Sequence, residues 1–170
     1  MRQVRLILCL LVLPVSALAF DFKGVAVGSP ATAEQVLEKL GVTCGAGANA
    51  MQVCNGTVTI AREPARMNLV ISANGIVQRI DLTLAPEAFE VVAPLLIERF
   101  GEPTKTDRSE IQNRMGAKFE QVTHFWGGQG DSEVLFRKYA GTGNSSTLYF
   151  STKEDRDLRA KPKTNRRGDI

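Results

Sequence analysis

The chain has one histidine, one tryptophan and three cysteines among its 170 residues. A structural zinc site takes four ligands, so His124 with two cysteines does not complete one. A nucleophilic triad needs a base held beside an acid and a nucleophile, and nothing in the sequence sets such partners around His124. No C-x-x-C pair is present, which removes the thioredoxin-like redox motif. The glycine-rich stretch Gly127-Gly128-Gln129-Gly130 lacks the lysine and helix that follow in a phosphate loop, so it reads as a turn served by Asp131 and Ser132. Glu120, Asp131 and Glu133 gather near one hairpin, but their spacing does not fix the separation that a glycosidase pair requires. The expectation is a protein that is not an enzyme and carries no cofactor or metal. A cryptic hydrolase is the remote alternative.

Long apolar runs are also missing, apart from one at the start. Arg2 and Arg5 precede an apolar stretch over 6–13, Pro14 breaks it, and Ala17-Leu18-Ala19 supplies the small residues of a cleavage site. This order is that of a secretory signal peptide over 1–19. The stretch is far shorter than the ~20 residues that span a bilayer, and no later segment reaches that length. Cys9 lies inside the apolar stretch and Phe20 follows the cut, so a lipid anchor is not expected. The expected compartment is the periplasm of a two-membrane bacterium, as a soluble protein, with secretion beyond it as the alternative.

Loss of the leader changes the charge balance. The whole chain carries a net charge of +3, yet residues 20–152 hold twelve Lys and Arg against fourteen Asp and Glu. Residues 153–170 hold seven against four and almost nothing apolar. The sequence therefore reads as one domain over 20–152 followed by a loosely attached basic tail over 153–170. Such a tail permits weak, salt-sensitive contact with anionic lipid or polymer. A basic nucleic-acid surface is not supported. Cys44 and Cys54 remain after cleavage, and in an oxidising compartment they are expected to form a disulfide across the small, flexible segment between them.

The mature length suits one core. Ala33, Val36, Leu37 and Leu40 recur at helical spacing, started by Ser29-Pro30 or by a Thr32/Gln35 capping box and ended by Gly41. Three strands are expected next: 54–61, then two alternating runs around Asn74-Gly75. A hairpin at that pair places Leu69 opposite Ile80 and Met67 opposite Leu82, all on one face. A second helix is predicted over 86–100, with Pro94 inside it. Residues 102–117 are polar and read as a loop with a capped turn at Ser109 and Gln112. Strands are then expected over 119–126, 134–139 and 148–151. The fold class is α+β: an antiparallel sheet with two main helices on one face, arranged as tandem α-β-β-β units.

The stretch Phe22-x-Gly24-Val25-x-x-Gly28, followed by Val36-x-x-x-Leu40-Gly41, resembles the start of small envelope proteins of the BamE/SmpA and beta-lactamase-inhibitor-protein-like group. Phe89-x-x-Val92 through Phe100-Gly101-Glu102-Pro103 repeats the same helix-end pattern. The resemblance implies short helices on an antiparallel sheet and binding to other proteins. The chain departs from the lipoproteins of the group in lacking their lipid-attachment cysteine.

Aromatic residues at a hairpin edge are favoured binding anchors. His124, Phe125, Trp126 and Tyr139 are the candidate partner-binding residues, with Trp126 foremost. The rival reading is a core aromatic cluster that also takes in Phe136, Met115 and Phe119. The expected partner is another envelope protein. A small-ligand or cell-wall-binding module is the alternative, with an apolar pocket near Trp126 and the Cys44–Cys54 loop.

Overall fold

The computed structural model describes residues 20–112, 115–127, 131–141 and 143–160. The leader over 1–19, most of the glycine-rich turn and residues 161–170 of the basic tail lie outside the described residues. A short ribbon, β1 (Asp21–Phe22) with β2 (Val25–Ala26), precedes helix α1 (Ala33–Leu40). Four strands follow: β3 (Thr43–Ala46), β4 (Gln52–Ile60), β5 (Glu63–Ile71) and β6 (Val77–Leu84). Helix α2 (Ala88–Phe100) begins the second half, with β7 (Lys105–Gln112), β8 (Lys118–Gly127), β9 (Ser132–Ala140) and β10 (Ser145–Thr152). Helix α3 (Lys153–Ala160) ends the described chain.

The strands form one eight-stranded sheet in the order β3-β4-β5-β6-β10-β9-β8-β7, antiparallel throughout. Each half is a helix followed by a four-strand meander, and the last strands of the two halves pair at the centre. The α-β-β-β expectation therefore lacks one strand per half. In the first half the missed strand is β3, and in the second it is β7, which occupies the polar segment read as a loop. Both are edge strands. All but one residue of β7 is exposed, so its sequence shows no alternation of apolar and polar positions. Charged residues along such an edge also discourage pairing with other chains.

Local chemistry sets the helix ends. In α1 the Gln35 amide donates to Thr32 Oγ1 at 3.3 Å and the Thr32 amide donates to Gln35 Oε1 at 3.0 Å, a complete capping box. The expected Asn74-Gly75 hairpin joins β5 to β6 with Met67 opposite Leu82 and Leu69 opposite Ile80. The turn is longer than two residues: only Gly75 takes positive φ (76°), and a bulge at Val70/Ile71 absorbs the extra length. Pro94 does not interrupt α2.

Pairing aligns side chains into rows across the sheet. One row runs Cys54, Leu69, Ile80, Phe150, Val134, Trp126, and the next runs Met67, Leu82, Leu148, Phe136, His124. These rows face α1 and α2, whose Val36, Leu40, Phe89, Val92 and Leu96 join the same core. Gly56 lies on this face of β4, where a Cβ would stand 2.7 Å from Val42 Cγ1, so no larger residue lets the α1–β3 connection pack so closely. Burial of each Leu, Ile or Phe here is worth about 1.5–3 kcal/mol.

The opposite face is polar over its first half. One of its rows runs Asn55, Asn68, Asp81, Tyr149, Leu135, Phe125, and the next runs Thr57, Arg66, Thr83, Thr147, Arg137, Thr123, Asp107. Helix α3 folds back over this face instead of trailing as a tail. Thr152 Oγ1 accepts from the Asp155 amide at 3.2 Å and so caps it. Asp155 is bonded by Arg79 of β6 (3.3 Å) and by Arg159 (2.8 Å), while Arg79 also holds Asp81 at 2.7 Å. Burial pushes the Asp81 carboxyl above the usual range, against the pull of Arg79 and Arg159. A disulfide joins Cys44 to Cys54, which lie directly opposite each other on β3 and β4.

Candidate functional site

The four candidate binding residues divide between the two faces. Trp126 is 1% exposed, its Nε1 donates to the Gly101 carbonyl at 2.8 Å, and Phe100 packs edge-on against it at 6.4 Å. It closes the core under the end of α2 and offers no surface to a partner. His124 lies one row away on the same face and stacks on Phe89 at 5.5 Å. Burial, with the charge of Arg108 beside it, holds its imidazole below the ordinary value. Its Nδ1 is 2.9 Å from Thr106 Oγ1. Among the described residues no carboxylate bonds the imidazole.

Phe125 and Tyr139 occupy the other face and belong to a single trough of about 940 Å³. Its lining comes from β7, β8, β9 and the turn before β10, and includes Phe119, Gln121, Thr123, Phe125, Arg137 and Tyr139. Phe119 and Tyr139 meet at 5.5 Å with their planes tilted by 52°. Phe119 is 37% exposed and Met115 is 92% exposed, so neither belongs to the core cluster proposed for them. Lys105 lies over Phe125 at 5.5 Å and bonds Asp107, the acid in the trough wall, at 2.9 Å.

The floor is polar and incompletely bonded. Gln121 Oε1 in the trough lining is buried and has no hydrogen-bond partner among the described residues. Arg137 stands between Thr123 and Thr147 in its row and is exposed. It forms none of the ion pairs or hydrogen bonds found among the described residues. Trough and core are interleaved in the sequence: Gln121, Thr123 and Phe125 line one, while Val122, His124 and Trp126 face the other. Period two alone carries that signal. The choice of face depends on where the helices pack, and the gathering of Phe119 with Tyr139 depends on β8 lying beside β9.

The surroundings of the Cys44–Cys54 loop form a smaller hollow of about 320 Å³ lined mostly by small residues, well away from Trp126. No helix among the described residues is long and apolar enough to cross a membrane, and no group of three or more His, Cys, Asp or Glu among them is arranged to hold a metal. No protein family, curated protein or solved structure matches this chain.

Proposed function

We propose that the chain is an exported, non-catalytic protein of the bacterial envelope that binds another envelope protein through the open face of its sheet, as an accessory or inhibitor-like subunit. The observation that carries this reading is the trough over β7, β8 and β9. α1 and α2 cover one face, α3 covers the centre of the other, and three aromatic side chains remain at the surface beside an accessible arginine. Aromatic and arginine side chains are the groups most often decisive in protein interfaces. Export rests on the leader, and the resemblance to the BamE/SmpA and inhibitor-like group favours a protein partner.

The test is affinity capture from periplasmic extract with the mature protein, with a Phe119→Ser/Tyr139→Ser variant and with Trp126→Phe. Proteins captured by wild type and Trp126→Phe but lost with the trough variant are the expected result. Equal capture by all three removes the trough from the reading. The amino terminus of the periplasmic protein is expected to be Phe20, and finding Met1 there removes export. A second reading, a small-ligand or cell-wall-binding module, draws on the trough volume, which lies within the 300–1,000 Å³ typical of ligand sites.

A further inference from the structure

We propose that the trough receives an acidic side chain of the partner polypeptide, with Arg137 as its counter-ion; this rests on the protein-partner reading above. The first ground is the pattern of ion pairs. In the second half of the sheet Lys105 pairs with Asp107, Arg108 with Glu120, Lys118 with Glu110, Lys138 with Glu90, and Arg156 with Glu133. Arg137 is exposed amid these pairs and has no carboxylate among the described residues. Its row neighbours are Thr123 and Thr147, which offer hydroxyls and no charge. The acid in the wall, Asp107, is already held by Lys105. Among the described residues the trough therefore keeps one positive charge, that of Arg137, with no carboxylate bonded to it.

The second ground is the character of the walls. A guanidinium presents a planar fork that fits one carboxylate by two parallel hydrogen bonds. A phosphate dianion would meet one compensating charge here, with Asp107 in the same wall, so a single carboxylate fits better. Phe119, Phe125 and Tyr139 add apolar surface around the arginine, which suits a carboxylate carried on a chain with apolar neighbours. Gln121 Oε1 in the lining retains unused hydrogen-bonding capacity among the described residues.

Arg66 supplies an internal control. It lies in the same row, between Thr57 and Thr83, exposed and likewise without an ion pair among the described residues. About three strand spacings, roughly 14 Å, separate it from Arg137. It does not line the trough. General attraction to anions involves both arginines, whereas binding in the trough involves Arg137 alone.

The experiment is an NMR titration of the mature protein with acetyl-Tyr-Glu-Tyr-amide and with its Gln counterpart. The Glu peptide is expected to shift the amides of Gln121, Thr123, Arg137 and Tyr139, and to bind at least tenfold more tightly than the Gln peptide. Arg137→Gln is expected to abolish that preference, and Arg66→Gln to preserve it. Equal binding of the two peptides, or a preference that survives Arg137→Gln, overturns the inference but leaves capture of a partner by the trough intact. Equal loss in both arginine variants reduces the effect to surface charge and also overturns it. No shift with either peptide at millimolar concentration, or tighter binding of free galacturonate at the same amides, overturns it as well.

Discussion

Phe125 and Trp126 are neighbours in the chain, yet one lines the trough and the other is 1% exposed in the core. The size of a side chain therefore does not mark its role here; its parity along the strand does. His124 shares the parity of Trp126 but is only partly buried, and that burial holds its folded pKa below that of a free imidazole. The unfolded chain thus takes up the proton first as the pH falls. The stability held by neutral His124 is complete above about pH 6.5 and is lost as pH falls toward the folded value. The urea midpoint of wild type is expected to drop more between pH 7.5 and pH 5 than that of His124→Gln. An equal drop in both proteins removes the role assigned to the imidazole.

The elements differ in how openly the sequence announces them. α1 and the β5–β6 hairpin were legible because local and tertiary signals agree: a capping box under an apolar stripe, and Asn-Gly between runs whose apolar faces match. α3 was not. Its sequence, Lys-Glu-Asp-Arg-Asp-Leu-Arg-Ala, has no apolar stripe, and Leu158 is 57% exposed. An ion pair from Arg79 to Asp155 and a hydrogen bond from Gln78 to Glu154, both reaching β6 76 residues away, dock it in place of a hydrophobic face. Asp155→Ala is expected to lower stability by about 1–3 kcal/mol, since it leaves Arg79 short of a partner at a half-buried site. Faster amide exchange confined to 153–160 would report the undocking, and an unchanged urea midpoint would contradict it. The β3–β4 pair depends on a covalent link instead. Reduction of Cys44–Cys54 is expected to cost about 2–3 kcal/mol by releasing loop entropy in the unfolded chain. Calorimetry with and without reductant measures the difference.

Over the whole molecule, the fold class was accessible from strand and helix count, but the sheet order was not. Nothing in the local sequence of β6 and β10 says that they adjoin. Ile80 and Leu82 meet Phe150 and Leu148 because both meanders end with an apolar strand and each needs a neighbour. The trough was hidden for the same reason: it exists only after β7, β8 and β9 are placed side by side. A fragment over 20–84 is expected to self-associate, because it leaves the apolar strand β6 as an open edge. Sedimentation of that fragment, alone and after mixing with 85–170, checks this. A monomeric fragment would show that the central seam is dispensable.

The seam also dictates a timetable. β6 is made early, but the strand that completes it lies at 145–152, near the far end of the described chain. A polypeptide appearing from a ribosome or a pore must hold its first half unfinished until almost everything else has emerged. During that wait, the closing strand of a second molecule fits the same vacancy equally well. Crowded synthesis would therefore yield entwined dimers that exchange their last strands.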